Sequence, residues 1–344
     1  MPHLAGQTER DLASWAMGEG ARAGAARVLA RALLAELAGR PIREAPAREL
    51  LERAKARFDC ALPRAEANRD TEGTTRFAVR LADGNVVETV AIHQEASHLR
   101  AKERWTVCLS SQVGCARGCV FCETGRVGLV RNLSAAEIVS QYAIAARHLG
   151  FAPRNVVFMG MGEPLDNLEQ VLAAIDVLRE PAGFAIPERR ITVSTVGIVP
   201  RIDELMARTR ANLAVSLHAI DAGTRLSLLP VARRWPLADL RAAIARSPRT
   251  VLLQWTLIRG VNDSDGDADA LAEFASGLDV RVNLIPLNPG PDPRQEAPPV
   301  ARCRAFQKRL LSRGVRTLLR LPHGQSVGGA CGQLAGALRQ TAPA

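Results

Sequence analysis

The stretch Cys115-Ala-Arg-Gly-Cys119-Val-Phe-Cys122 places three thiols within eight residues. As thiolates they are good ligands for soft metals. Three cysteines so spaced can hold three irons of a [4Fe–4S] cluster and leave the fourth iron open to a small molecule. Gly114 and Gly118 allow the loop to fold tightly around such a group. The alternative is structural zinc, which normally takes four ligands. No His stands at zinc-knuckle spacing, and the nearest further thiol, Cys108, falls within a strand-like run. The chain has seven cysteines, an odd number, and four of them lie between Cys108 and Cys122. That distribution argues against a disulfide framework and for metal binding or catalysis.

A loop of this kind needs a scaffold, and the surrounding pattern supplies one. Apolar runs of strand length fall at 105–109, 155–160, 190–195, 213–218, 251–258 and 280–286. Segments with helical features follow them. Ser134 and Glu137 form a capping box ahead of 138–149, and 200–209, 237–246, 268–278 and 300–313 read as further helices. Six strand–helix alternations predict a parallel α/β fold, a partial (β/α)6 barrel with its site at the C-terminal strand ends. Upstream, residues 1–60 read as helical, with helices near 21–37 and 46–57 and a break at 39–41. Runs 76–81 and 86–92 flank Ala82-Asp83-Gly84-Asn85, a hairpin signal. The expected organisation is a helical accessory domain (1–70), a connecting β-hairpin (71–100), the barrel (101–322) and a C-terminal loop and tail (323–344).

The chain of 344 residues is 47% hydrophobic, enough for a large core, and has a formal charge of +10. From Val300 onward there are eight basic residues and no acidic ones. Such clustering is expected of a phosphate-binding surface, with Arg302, Arg309 and Arg313 near one helix face. The competing expectation is that these arginines are solvated or pair with acids elsewhere. No apolar run reaches membrane-spanning length and no signal peptide is evident, so a cytoplasmic chain is expected.

Five motifs in order sharpen this reading. They are Cys108-Leu-Ser-Ser-Gln-Val-Gly-Cys115, Met159-Gly-Met-Gly-Glu-Pro164, Ser216-Leu-His218, Asn283-Leu-Ile-Pro-Leu-Asn288 and Ala330-Cys-Gly-Gln-Leu-Ala-Gly336. Together with the three-cysteine loop they resemble the radical S-adenosylmethionine (SAM) adenine methyltransferases of ribosomal and transfer RNA, over about residues 73–338. The resemblance implies that Cys115, Cys119 and Cys122 bind one [4Fe–4S] cluster. It implies SAM contacts for Gly162, Glu163, Ser194, Ser216, Leu217, His218 and Asn288. It makes Cys331 the methyl-carrying cysteine, Cys108 the second reactive cysteine and Glu88 the proton acceptor. From the residues alone, Glu88 reads as an exposed strand carboxylate.

Adenine C2 and C8 are not nucleophilic, so direct methyl transfer from SAM fails there. The chemistry that the resemblance implies uses two SAM per turnover. Cys331 takes a methyl group, a 5′-deoxyadenosyl radical activates it, and the carbon adds to the base. Cys108 then attacks the Cys331 sulfur, releasing methyladenine and leaving a disulfide to be reduced. The base must be turned out of its stack to enter. The implied partners are rRNA or tRNA and an electron donor such as a flavodoxin or ferredoxin, with the enzyme a monomer and C2 the expected target. The continuation Glu123-Thr-Gly-Arg-Val-Gly128 and the run Pro322-His-Gly-Gln-Ser-Val-Gly-Gly329 depart from the family pattern and bear on target choice. The rival classes are a radical-SAM enzyme acting on a peptide or small molecule, and a non-catalytic iron–sulfur RNA-binding protein.

Overall fold

The computed structural model describes residues 1–95, 102–290, 292, 294–320 and 324–334. Helices α1 (Glu9–Gly18), α2 (Ala23–Leu37) and α3 (Arg48–Arg57) come first. Strands β1 (Ala65–Arg69), β2 (Thr75–Arg80), β3 (Val86–Gln94) and β4 (Arg104–Cys108) follow. A small excursion holds β5 (Gln112–Cys115), α4 (Glu123–Val127) and β6 (Gly128–Asn132). The alternation then runs α5 (Ala135–Leu149), β7 (Asn155–Phe158), α6 (Leu168–Arg179), β8 (Ile191–Thr195) and α7 (Val199–Arg208). It continues β9 (Asn212–Ser216), α8 (Ala222–Leu228), α9 (Leu237–Ala245), β10 (Val251–Leu257), α10 (Asp265–Ala275), β11 (Val280–Pro286), α11 (Val300–Ser312) and β12 (Thr317–Leu319).

Ten strands form one sheet in the order β1-β2-β3-β4-β7-β8-β9-β10-β11-β12. From β4 to β12 all neighbours are parallel. β8, β10 and β11 are largely buried and read as mostly apolar runs, as parallel strands do. The six strands expected from the sequence are present, and β12 adds a short seventh. The capping box at Ser134 and Glu137 starts α5, and Gly150 ends it in the left-handed conformation.

The hairpin joins the barrel directly. β3 pairs antiparallel with β4, Val90 opposite Cys108, so the strand face carrying Glu88 and Val90 continues the barrel interior. β1, inside the segment expected to be helical, extends that sheet by pairing with β2. The N-terminal helices share the barrel's hydrophobic core, with Leu29, Leu33 and Leu37 of α2 inside it. Arg40 anchors them further by donating to the carbonyls of Pro181 and Gly183.

The arginines of α11 correct the expectation of a phosphate-facing surface. Arg302 pairs with Asp265, Arg309 with Asp265 and Asp269, and Arg313 with Asp269. Their common face is turned onto the acidic face of α10, which sequence spacing within α11 cannot show. Arg339 and the end of the 330–336 motif lie outside the described residues. Among the described residues no helix is long and apolar enough to cross a membrane.

Candidate active site

The cysteine loop leaves β5 at Cys115 and enters α4 after Cys122. Gly114 and Gly118 both take positive φ, 75° and 64°. The outer side of the loop is held by Val120 N–H donating to the Leu228 carbonyl at 3.1 Å. The three thiols open on a cavity of about 160 Å³ at the C-terminal ends of the strands. Gly162, Glu163, Ser194, Ser216, His218 and Asn288 line the same cavity, and so does Cys331. Three of the expected residues do not line it: Leu217, Cys108 and Glu88. Leu217 turns its side chain into the core, and its main chain joins β9 to β10 through a 3.0 Å bond to the Gln254 carbonyl.

Each polar wall residue is fixed by its strand end. Gly162 has φ of 98°, and a Cβ there would stand 2.6 Å from the Gln112 side chain, so only glycine fits. The Glu163 carboxylate accepts from Leu165 N–H at 3.0 Å and Val196 N–H at 2.9 Å. Burial nevertheless pushes its pKa up to about 7, with those two bonds opposing. His218 is held at φ of 58°, an uncommon conformation for a residue with a side chain. Burial, then the nearby Arg225 guanidinium, hold its pKa down to about 3. The ring is therefore neutral, and Nδ1 accepts from Thr256 N–H at 2.9 Å. That leaves Nε2 as the protonated nitrogen.

The Cys331 loop is clasped onto the cysteine loop. Glu123 N–H donates to the Gly332 carbonyl at 2.8 Å, and the Thr124 hydroxyl donates to the Leu334 carbonyl at 2.7 Å. Asn288 Nδ2 donates to the Cys331 carbonyl at 3.0 Å, and Gln325 Nε2 donates to Asn288 Oδ1 at 2.8 Å. The Cys108 thiol lies behind the cavity wall. Burial pushes it far above the usual thiol range, and the neighbouring Cys331 sulfur adds to the rise. Burial raises the Cys331 thiol as well, and the Arg320 guanidinium opposes that rise. All seven cysteines are free thiols.

Glu88 is buried, which corrects the exposed carboxylate read from the residues alone. It is 1% exposed, because its strand face continues the barrel interior, and Arg76 pairs with it across the hairpin. Two residues that sequence reasoning missed also belong here. Gln254 lines the cavity, and its Oε1 is buried with no hydrogen-bond partner among the described residues. Arg225 is buried behind the strand ends at Val196, Ser216 and Leu217. Gln254 carries a weak signal, a polar residue in an otherwise apolar strand. Arg225 carries none, since its partners are carbonyls on strand ends that it meets only in the fold.

The donor set suits an iron–sulfur group. Three thiols from one loop face a cavity, and among the described residues no three His, Cys, Asp or Glu side chains converge on a single-ion site. The orphaned Gln254 acceptor and the Glu163 carboxylate suit a ligand that brings a cation or hydrogen-bond donors, as the ammonium and ribose of SAM do.

Residues 109–272 match the Radical SAM superfamily. A probable RNA methyltransferase of Sorangium cellulosum is 48% identical over 309 residues, 87% of this chain and 72% of that protein. The dual-specificity RNA methyltransferase RlmN of Syntrophotalea carbinolica is 43% identical over 285 residues, 81% of this chain and 74% of that protein. The crystal structure of a radical SAM methyltransferase from Sphaerobacter thermophilus superposes with a TM-score of 0.87 at 37% identity, covering 97% of this chain and 99% of that one. With three cysteines, a strand-end cavity and this degree of likeness, the chain belongs to the radical SAM RNA methyltransferase family.

Proposed function

We propose that this protein methylates C2 of an adenine in rRNA or tRNA, with Cys331 as the methyl carrier. The observation that supports this most directly is the seating of the Cys331 loop. The loop is bonded to Glu123 and Thr124, immediately after the three-cysteine motif, and places Cys331 in the cavity that those cysteines face. A radical SAM enzyme acting on a peptide or small molecule has no need of a second thiol in this position.

Cys115, Cys119 and Cys122 hold the [4Fe–4S] cluster, and Glu163, Ser194, Ser216, His218, Asn288 and Gln254 surround SAM. When bound, these groups supply a methyl donor and a carbon radical that abstracts hydrogen. The protein's own part is to hold the methyl and to release it. Cys331 Sγ gives up its proton and carries the methyl carbon. Arg320, which opposes the rise of its pKa, favours the thiolate needed for that. Glu88 accepts the proton lost from the adenine ring, and the unpaired electron left on the adduct is given up to the electron-transfer partner. Cys108 Sγ then attacks Cys331 Sγ. The sulfur–carbon bond breaks with its electron pair going to carbon, which takes up a proton and becomes the new methyl group. The resulting disulfide is returned to two thiols by a reductant, and a flavodoxin or ferredoxin supplies the electrons that the cluster needs. Leu217 acts through its main chain only.

The test is anaerobic reconstitution with iron and sulfide, followed by SAM, dithionite and deproteinised rRNA or tRNA. One [4Fe–4S] cluster per chain, 5′-deoxyadenosine release and 2-methyladenine in digested RNA are expected. The alanine variants of Cys115, Cys119 and Cys122 lose all three. Stoichiometric zinc without iron overturns the proposal, and 8-methyladenine alone overturns the choice of carbon.

A further inference from the structure

Arg225 is the most unusual charge in the molecule. It sits in α8 and is 2% exposed. Its guanidinium donates to the carbonyls of Leu217 at 2.8 Å, Val196 at 3.2 Å and Ser216 at 3.4 Å, while Nε is buried with no partner among the described residues. Among the described residues no carboxylate forms an ion pair with it, whereas pairs such as Arg246–Asp203, Arg259–Glu296 and Arg316–Asp279 stand on the surface. A buried ion without a counter-ion is expensive to keep, and a neutral side chain of similar size usually serves stability better.

The cysteine loop is the neighbour that explains it. α8 and the residues after it form the floor on which that loop rests. Val120 N–H bonds to the Leu228 carbonyl at 3.1 Å, and Gly118 stands over Pro230, 3.8 Å from where a Cβ would reach. Cys119, Val120 and Phe121 pack on the apolar cluster of Leu228, Leu229 and Val231. Ser216 and Val196, whose carbonyls hold the guanidinium, line the same cavity as Cys119. As a thiol, Cys119 is neutral and offers Arg225 little. As a cluster-bound thiolate it is an anion.

We propose that Arg225 is the built-in counter-charge of the cluster: a cation fixed on three strand-end carbonyls beside the Cys119 loop, which stabilises the negative charge of the bound thiolates and the further unit added on reduction. This inference rests on the assignment of Cys115, Cys119 and Cys122 to a [4Fe–4S] cluster. Reduction is a one-electron step in which the donor loses the electron and the cluster gains it. A fixed cation nearby favours the reduced form and raises the midpoint potential. Arg225 touches neither RNA nor the reacting carbon in this scheme; it acts through the cluster as a positioning residue.

The experiment compares wild type, Arg225→Gln and Arg225→Lys, reconstituted anaerobically and titrated with dithionite under electron paramagnetic resonance detection. Thermal melts of the metal-free proteins run alongside. Removing the charge in Arg225→Gln should shift the reduction equilibrium about tenfold toward the oxidised cluster, which is 59 mV for a one-electron couple. Arg225→Lys keeps the charge and should restore most of that shift. A Gln variant that melts like wild type without metal yet fails to retain iron, while the Lys variant retains it, also supports the proposal. An unchanged midpoint in Arg225→Gln overturns it, as does an equal shift in Gln and Lys. Metal-free variants that both melt far below wild type while keeping its midpoint assign Arg225 to strand-end structure instead. Failure of wild type to assemble any iron–sulfur cluster is a different result: it removes the cluster assignment itself.

Discussion

The carboxamide of Asn288 ties the main chain of Cys331 to the end of β11, donating to its carbonyl at 3.0 Å. Gln325 in turn donates to Asn288 Oδ1, so one side chain carries both bonds that seat the loop on this side. Each such bond contributes about 1 kcal/mol. Asn288→Ala should therefore open the loop by about 2 kcal/mol, roughly 30-fold in its docking equilibrium. The measurement is the rate of Cys331 alkylation by iodoacetamide in the metal-free protein, followed by peptide mass spectrometry. A several-fold faster rate is expected, with Cys303, buried in the core, unaffected. An unchanged rate means that the clasp at Glu123 and Thr124 holds the loop alone.

Cys108 and Cys331 have unequal surroundings, and the proposed scheme gives them unequal tasks. Cys108 is the more deeply buried and the more strongly held neutral. In the proposed scheme Cys331 takes the methyl, and Cys108 acts only once the base is attached. Cys108→Ala should accumulate protein covalently joined to RNA, seen as slowed migration on a denaturing gel that ribonuclease treatment reverses. Cys331→Ala should form neither adduct nor product. Methyladenine made by the Cys331 variant would remove Cys331 as the carrier.

Glu163 gives the metal-free protein a pH signature. Burial raises its pKa from the ordinary 4.5 to about 7. A carboxyl whose folded pKa is raised binds more protons folded than unfolded between those values. Its contribution is present below about 4.5 and is lost as pH rises to 7. The shift corresponds to roughly 3 kcal/mol of stability across that window. Urea midpoints should show this decline, and Glu163→Gln should flatten it. A variant with the wild-type slope assigns the decline to other groups.

The parts of this structure that were legible in the sequence are those written locally. The cysteine spacing, the six apolar runs and the Ser134 capping box each sit within one short stretch, and each has its counterpart in the fold. β1 was not legible, because all five of its residues are exposed and it shows no apolar face. β12 is three residues long, too short to carry a pattern. The burial of Glu88 depends on β3 pairing with β4, and the orphaned Gln254 and the carbonyl-bound Arg225 are defined by strands far apart in the chain. Such properties arise only when the elements meet.

The face of α11 is the clearest case, and it changes what RNA binding should look like. Arg309 bonds to Asp269 through both Nε and Nη2, at 2.8 and 2.5 Å, and Arg313 reaches the same carboxylate at 2.9 Å. Arg309 holds the Asp269 carboxyl below the usual carboxylate range. Guanidinium groups so occupied are poor candidates for binding phosphate, and as exposed pairs they add little stability. Arg304 and Lys308 are one turn apart on the exposed side of the same helix, with no ion pair among the described residues. Arg309→Ala with Arg313→Ala should therefore leave the slope of log RNA affinity against log salt unchanged. Arg304→Ala with Lys308→Ala should flatten that slope by roughly 0.7 to 0.9 for each phosphate left without its cation. Neither pair should alter SAM cleavage without RNA, since both stand outside the cavity. If the Arg309 and Arg313 pair flattens the slope and the Arg304 and Lys308 pair does not, RNA must displace Asp265 and Asp269 from α11 on binding.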